Sequence, residues 1–162
     1  MNNTKNYTVG VNLKFFRSAA QLYSENGPVA ATSGSAGFDL RADIESSVTI
    51  APGQRALIGS GISVELLQEG VAGFVYSRSG LGAVKGLTVA QGVGVIDPDY
   101  RGEIKVALLN TSTETHMVNR GERIAQLIFQ PYFRADFRPL GDEEELGETR
   151  RGEGGFGHTG NK

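Results

Sequence analysis

The sequence contains no cysteine, and none of its apolar runs is long. Without cysteine the chain can form no disulfide framework, no thiolate zinc site and no cysteine nucleophile. No segment approaches the roughly 20 apolar residues that a membrane span needs, and the N-terminus has no apolar run of signal-peptide length. The net charge of −2 offers no broad basic surface for duplex nucleic acid. These absences predict a soluble, cytoplasmic protein whose partners include neither nucleic acid nor a membrane.

The chain of 162 residues is long enough for one domain with a real core. Its 23 glycines, about twice the ordinary share, stand in turn-like positions along the chain rather than in one linker. Between them, apolar and polar residues alternate with the period of two that is typical of strands with one buried face. The strand candidates are residues 9–15, 48–50, 55–66 with a glycine interruption at Gly59 and Gly61, the apolar and aromatic run 71–76, and residues 93–96, 103–109 and 123–129.

Helical periodicity is weak, and the two best candidates, residues 18–24 and 80–85, are no longer than about two turns. Many short strands with regular turn signals predict an all-β fold, an antiparallel β-sandwich or barrel. The turn sequence DPDYRG (97–102) predicts a β-hairpin in which residues 93–96 pair with residues 103–109. The acidic stretch DEEE (142–145) is typical of a solvated connector rather than a metal site. We therefore expect a β domain over residues 1–141 and a linker with a glycine-rich tail over residues 142–162.

The C-terminal segment RRGEGGFGHTG (150–160) is suited to wrapping a ligand rather than to building a core. Glycines let backbone N–H groups approach phosphate oxygens, arginines neutralise them, and an aromatic ring can cover a base. Residues 152–157 match G-x-G-x-x-G, but a dinucleotide fingerprint must follow a strand and open a helix, and too little chain follows for a helix. The segment predicts a flexible, phosphate-handling tail that substrate orders; the alternative is a glycine-rich terminus with no role.

Four further segments are too specific for packing alone: AGFDLRA (36–42), SRSGLG (77–82), GVIDPDYRG (94–102) and RIAQLI (123–128). The first places an acid inside a strand-like run, and the second places an arginine between two hydroxyls at the entry to a short helix, which suits an anion. The third sets an acid and a tyrosine on one turn, and the fourth puts a lone amide among apolar residues.

Together with the tail, these segments resemble the five ordered motifs of the trimeric dUTPases (deoxyuridine triphosphate nucleotidohydrolases), in the form that bacteria have. The resemblance runs from about Ala36 to Gly160. It implies a jelly-roll-like β fold, a homotrimer with three active sites at the subunit interfaces, and a C-terminal lid that closes over each site. The implied reaction is attack of water on the α-phosphate of dUTP with Mg²⁺, which gives dUMP and pyrophosphate. This reaction keeps uracil out of DNA and supplies dUMP for thymidylate synthesis.

The acids receive different roles. Such a hydrolysis needs an in-line water, a base that orients it, and cations on the leaving pyrophosphate. By resemblance Asp97 is the base, and Asp99, the competing acid two residues on, is expected to cap the turn. Asp39 is expected to support the site electrostatically, through a metal-bound water or an arginine; its alternative is a bond to its own loop. No acidic cluster looks like a Mg²⁺ cage, so the metal is expected on substrate phosphates and waters, near Asp39 at most.

The phosphates are expected to bind Arg78, Ser79, Gly80 and Gln126 in the body, and Arg151 and Thr159 in the tail; Gly157 of the tail is expected to contact the substrate as well. For Gln126 the alternative is a buried amide bonded to neighbouring backbone. Neither His116 nor His158 is expected to be catalytic.

Uracil is expected to pair with backbone groups of residues 92–97, including Val95 and Ile96, and to stack on Phe156. Tyr100 is expected to lie against the deoxyribose. Gln91 either adds a side-chain contact or is a surface turn residue, and Lys105 either reaches the nucleotide or faces solvent.

Two other functions remain to be weighed. A dCTP deaminase of the same fold would need a catalytic glutamate in its own motif, for which no segment matches. A non-catalytic nucleotide-sensing regulator would have no need of intact Asp97, Arg78 and Arg151. Release of pyrophosphate from dUTP, against ammonia from dCTP, separates the three.

Overall fold

The computed structural model describes residues 8–24 and 26–155, which form eleven strands, one 3₁₀ turn and one π-helical turn. The strands are short because turn-forming glycines and prolines interrupt the alternating pattern. The strands are β1 (Val11–Phe15), β2 (Phe38–Arg41), β3 (Val48–Ile50), β4 (Arg55–Gly59), β5 (Ile62–Leu66), β6 (Val71–Tyr76), β7 (Leu87–Val89), β8 (Val93–Ile96), β9 (Lys105–Asn110), β10 (His116–Val118) and β11 (Arg123–Pro131). The 3₁₀ turn is Ala19–Leu22 and the π-helical turn is Gly80–Val84.

All strand pairs between these elements are antiparallel. The largest sheet has the order β2-β11-β6-β8, and a second has the order β4-β9-β7. Two strand pairs, β1-β5 and β10-β3, complete the set. This is the all-β antiparallel fold class that the alternation predicts.

One hydrophobic core lies between the sheets. It takes Leu40, Val75, Ile96 and Leu127 from the largest sheet, Ile58, Leu87, Val106 and Leu108 from the second, and Ile50, Ile62 and Val118 from the strand pairs. Every sheet therefore buries one face against the others, as the period of two requires. Gly61 joins β4 to β5 with φ +70°, and Ala19 of the 3₁₀ turn occupies the space that a Cβ would need there.

The predicted hairpin is wrong, although both of its strands exist. Strand β8 pairs with β6, whereas β9 pairs with β4 and β7. Residues 97–104 therefore cross from one sheet to the other. The alternation is the same in a hairpin and in such an arch, because both bury every second residue against one core. The other predicted strands and both short helical turns are confirmed within one to three residues.

After β11 the chain has no further strand or helix up to residue 155. The segment that follows β11 is held to the domain at its first residue, because the N–H of Tyr132 donates to the carbonyl oxygen of Gly70 at 2.9 Å. We call residues 132–155 the C-terminal arm. The arm exposes four large apolar side chains, Phe133, Phe137, Leu140 and Leu146. In the described part of the chain, no helix is long and apolar enough to cross a membrane.

Candidate active site

An acid and two arginines meet on the outer face of the largest sheet. Nε of Arg78 lies 2.7 Å from Oδ1 of Asp39, and Nη1 of Arg123 lies 3.2 Å from Oδ2 of the same carboxylate. The Asp39 side chain is 16% exposed, that of Arg78 25% and that of Arg123 47%. One carboxylate thus holds two guanidinium groups at the edge of solvent and leaves one net positive charge, which suits an anionic ligand.

Gln126 lies beside this cluster on β11, directly opposite Asp39 on β2 and Tyr76 on β6. Its Nε2 donates to the carbonyl oxygen of Ser77 at 3.1 Å, so its amide is bonded to neighbouring backbone, as the alternative interpretation supposed. Gly37 makes room for the amide, because a Cβ at Gly37 would lie 2.6 Å from Oε1 of Gln126. The hydroxyl of Ser77 accepts the N–H of Val89 at 2.8 Å and so ties this strand end to β7.

The π-helical turn begins at Gly80, two residues after Arg78. The carbonyl oxygen of Arg78 accepts the N–H groups of Leu81 and Gly82, at 3.0 and 2.7 Å. Ser79 and Gly80, the two residues after Arg78, are exposed at the start of this turn. The structure therefore brings together Asp39, Arg78, Ser79, Gly80 and Gln126, and we call them, with Arg123, the arginine cluster.

Asp97 lies elsewhere, at the end of β8. It is exposed in a cavity of about 490 Å³ whose lining includes Phe74, Val95 and Asp99, together with Tyr132 and Arg134 of the C-terminal arm. The turn after β8 is closed by the N–H of Tyr100, which donates to the carbonyl oxygen of Asp97 at 3.1 Å. Nη1 of Arg101 donates to the carbonyl oxygen of Pro98 at 2.7 Å. Backbone and arginine, rather than the expected Asp99 carboxylate, close this turn within the described residues.

Strand register separates Asp97 from the arginine cluster. In the antiparallel pair of β6 and β8, Gly73 lies opposite Ile96 and Tyr76 lies opposite Val93. Asp97, the residue after Ile96, therefore lies at the beginning of β6, whereas Arg78 follows the end of β6. The four residue-to-residue steps from Ala72 to Tyr76 alone span about 13 Å. Within one chain the two groups do not converge.

The remaining candidates are dispersed. Tyr100 donates its hydroxyl to the carbonyl oxygen of Glu103 at 2.9 Å, and its ring packs over Gly102. Lys105 is exposed on β9, in a groove with Glu45 and Glu103, and Gln91 is exposed in the turn before β8.

The tail is described only in part. Arg151 is exposed, and its Nε donates to the carbonyl oxygen of Gly154 at 2.7 Å. Phe156, Gly157, His158 and Thr159 lie outside the described residues. His116 is half-buried in β10, within 3.0 Å of the Ser112 hydroxyl.

The described residues form no cluster of side chains that would bind the Mg²⁺ expected with the substrate. Among residues 8–24 and 26–155, no three His, Cys, Asp or Glu side chains lie close enough to hold a metal. Both oxygens of Asp39 already accept arginine N–H groups, so this carboxylate does not fit a direct metal ligand.

Two titratable groups outside the cluster have shifted pKa values. Burial of the phenol raises the pKa of Tyr23 to about 12. The hydrogen bonds that the phenol accepts from the Arg41 N–H and donates to the Ser60 carbonyl oxygen oppose part of this rise. The amide of Asn12, followed by the guanidinium of Arg101, lowers the pKa of Glu65.

Arg123 is the residue that sequence reasoning missed. It lies within RIAQLI (123–128), but strict alternation from Gln126 would turn its side chain to the opposite face of the sheet. No local signal marks the irregularity that brings it to Asp39.

Comparison with known proteins identifies the family. The dUTPase family model matches residues 26–160. The chain is 51% identical over 133 residues to the deoxyuridine 5'-triphosphate nucleotidohydrolase of Desulfitobacterium hafniense (strain DSM 10664 / DCB-2), covering 82% of this chain and 86% of that protein.

Solved structures agree on the fold. The Staphylococcus bacteriophage 80alpha dUTPase with dUPNHPP has a TM-score of 0.76 at 24% identity, covering 94% of this chain and 99% of that one. A mutant dUTPase from phage phi11 of S. aureus, which coordinates a structural Mg(II) ion, has a TM-score of 0.69 at 19% identity, covering 84% and 99%. The chain belongs to the dUTPase family, and it is a dUTP diphosphatase that hydrolyses dUTP to dUMP and pyrophosphate.

Proposed function

We propose that this chain hydrolyses dUTP as a jelly-roll-like homotrimer, in active sites that are each built from more than one subunit. The observation that carries the proposal is the placement of Arg78 and Asp97 near opposite ends of β6. A base and the cations on the leaving group must both lie within a few ångströms of one triphosphate. A second copy of the chain, set with its Asp97 end against the arginine cluster, satisfies that requirement, and threefold closure repeats it three times.

The outer face of the largest sheet supports assembly. Cross-strand partners share a face, so Phe74, Val95 and Ile128 form one row on the side away from the core. Val95 is exposed, and Phe74 and Ile128 are only partly buried. An apolar row of this kind is typical of a surface that another subunit covers.

The C-terminal arm supports shared sites in the same way. Phe133, Phe137 and Leu146 are exposed although they are large and apolar, which suits an arm that lies on a neighbouring subunit. We propose that residues 142–162 form a lid over a neighbour's site, with Arg151, Gly157 and Thr159 on the phosphates and Phe156 stacked on uracil.

In the proposed site the arginine cluster binds the triphosphate. Arg78 uses its Nε on Asp39, so its terminal nitrogens remain available for phosphate oxygens. Ser79 and Gly80 add exposed hydroxyl and backbone groups, and Gln126 adds its amide. We propose that Mg²⁺ arrives on the substrate phosphates with its waters, as it commonly does, and offsets charge on the leaving pyrophosphate.

At the other side of the shared site, Asp97 orients the attacking water and accepts its proton. Its exposure in a cavity and its lack of a side-chain hydrogen bond to the described residues leave the carboxylate available for this role. Backbone groups of Val95 and Ile96 pair with the edge of uracil, and Tyr100 lies against the deoxyribose. Gln91 and Lys105 are the remaining candidates for nucleotide contact.

The reaction acts on the free nucleotide pool, so we place the protein in the cytoplasm with dUTP and dUMP as its small-molecule partners. The family assignment does not favour a dCTP deaminase or a non-catalytic sensor. The matching assay measures pyrophosphate from dUTP and ammonia from dCTP, and ammonia release would contradict the proposal.

Subunit mixing tests the shared site. Chains carrying Asp97→Asn and chains truncated after Glu148 should each be nearly inactive alone. If base and tail come from different subunits, random mixing in a trimer restores about a quarter of the sites. No recovery after verified subunit exchange, or a fully active monomer in sedimentation, would refute shared sites.

A further inference from the structure

We propose that Arg123 is a second phosphate-binding arginine, acting beside Arg78 on the terminal phosphates of the substrate. The inference rests on the proposed phosphate site at the arginine cluster and extends it by one residue. It depends on two independent observations, an irregularity in β11 and the sharing of the Asp39 carboxylate.

The irregularity re-aims the Arg123 side chain. Between β11 and β2, Ala125 lies opposite Leu40 and Arg123 lies opposite Arg41, so Ile124 is an extra residue on β11. Ile124 and Ala125 are both buried, at 1% and 0% exposure, although neighbours in a regular strand face opposite sides. This bulge puts Arg123 on the face that carries Gln126 and Asp39. Bulges that re-aim a side chain in this way are enriched beside active sites.

The shared carboxylate leaves Arg123 mostly unengaged. Asp39 gives Oδ1 to Arg78 and Oδ2 to Arg123. Among the described residues, Asp39 is the hydrogen-bond partner of Arg123 through Nη1 alone, so Nε and Nη2 are free to donate. The side chain is also nearly half exposed, unlike that of a buried structural arginine. Asp39 thus acts as the positioning residue that sets two guanidinium groups side by side.

The charge of the cluster favours phosphate binding by Arg123 over simple neutralisation of Asp39. One arginine already balances Asp39, and Arg78 makes the shorter contact, 2.7 Å against 3.2 Å. The second arginine therefore supplies the positive charge that remains. A cluster of this charge suits the β- and γ-phosphates, which carry most of the charge of the triphosphate and leave together as pyrophosphate.

The test compares a triphosphate ligand with a monophosphate ligand. Calorimetry measures the Kd of non-hydrolysable α,β-imido-dUTP and of dUMP, with Mg²⁺, for the whole trimeric protein and its variants. Arg123→Gln should weaken the triphosphate analogue by about 10- to 100-fold, the range for losing a hydrogen bond to a charged group, and leave dUMP unchanged. The matched control is Arg120→Gln, because Arg120 also pairs with an aspartate, Asp43 at 2.9 Å, and is 37% exposed. Its Kd values should not change.

Two further comparisons of variants distinguish an error in the role of Arg123 from an error in the proposed phosphate site. If Arg123 merely neutralises Asp39, Arg123→Gln should have no effect in an Asp39→Asn background. If Arg123 contacts phosphate, part of the loss should remain there, because the triphosphate still attracts Arg123 after its positioning carboxylate is removed. Unchanged triphosphate affinity in Arg123→Gln, with a large loss in Arg78→Gln, would overturn this inference alone. Unchanged affinity in both variants would overturn the proposed phosphate site as well.

Discussion

Replacing Gly37 by alanine tests whether the position of the Gln126 amide matters for catalysis. A Cβ at Gly37 would lie 2.6 Å from Oε1 of Gln126 and 3.3 Å from its Cβ. The first distance is far below ordinary contact, but Oε1 is the end of a flexible side chain. We therefore expect the amide to swing away while β2 and β11 stay paired.

The size of the effect follows from the bonds that the amide makes. Moving it breaks the bond from Nε2 to the Ser77 carbonyl oxygen, 3.1 Å long. Such a bond contributes roughly 0.5–1.5 kcal/mol net, so the free energy of unfolding should fall by about that amount. If the amide also binds a phosphate, a further 1.5–3 kcal/mol of transition-state stabilisation is lost, and kcat/KM falls by roughly 10- to 100-fold.

The assay measures pyrophosphate release across a range of dUTP concentrations, together with urea unfolding of the same samples. Gly34→Ala is the matched control, since Gly34 lies three residues upstream and a Cβ there meets no atom within 4 Å. The control should keep full activity. A Gly37→Ala protein with the kcat/KM of the control would show that the position of the Gln126 amide is irrelevant to turnover.

Three other outcomes are expected. Asp97→Asn should lower kcat by at least about 10², the low end for loss of a general base, and Asp99→Asn by much less; the reverse order in steady-state kinetics would exchange their roles. Truncation after Glu148 should abolish most turnover but leave the protein trimeric in sedimentation, and loss of the trimer would contradict the lid assignment. Unfolded tyrosine ionises near pH 10 and Tyr23 near pH 12, so the unfolded state sheds its proton first and stability falls as pH rises through that window. Tyr23→Phe should flatten this fall and cost roughly 1–3 kcal/mol near neutral pH, and an unchanged slope in urea unfolding would exclude Tyr23 as its source.

Local sequence patterns predicted the strands because a half-buried strand needs an apolar residue at every second position, and this spacing is visible in the sequence. The alternation around Val11 and Leu108 suffices to identify two strands, and both exist. The glycines between β4 and β5 and at the start of the π-helical turn also predicted turns, because tight turns restrict which residues fit. The same sequence also carried enough of the five motifs to indicate the family.

The sequence did not predict which strands pair with one another, and this pairing determines the geometry of the site. Whether residues 93–96 pair with residues 103–109 or with β6 depends on which surfaces meet in the folded chain. The sequence therefore predicted a hairpin where the chain crosses between sheets. The correct register places Asp97 and Arg78 near opposite ends of β6, and that separation is the physical basis for expecting a shared site.

The contrast between Gln126 and Arg123 shows where sequence stops and tertiary structure begins. Gln126 stands out in the sequence because a lone amide interrupts an apolar strand, so its residue type alone marked it as a candidate. Arg123 stands where alternation turns it away from Asp39, and only the extra residue at Ile124 reverses its direction. A bulge forms when the partner strand and the core favour burying two successive residues, here Ile124 and Ala125. The sequence alone thus determined the strands, the family and the reaction, whereas long-range packing decided which charged groups share the Asp39 carboxylate.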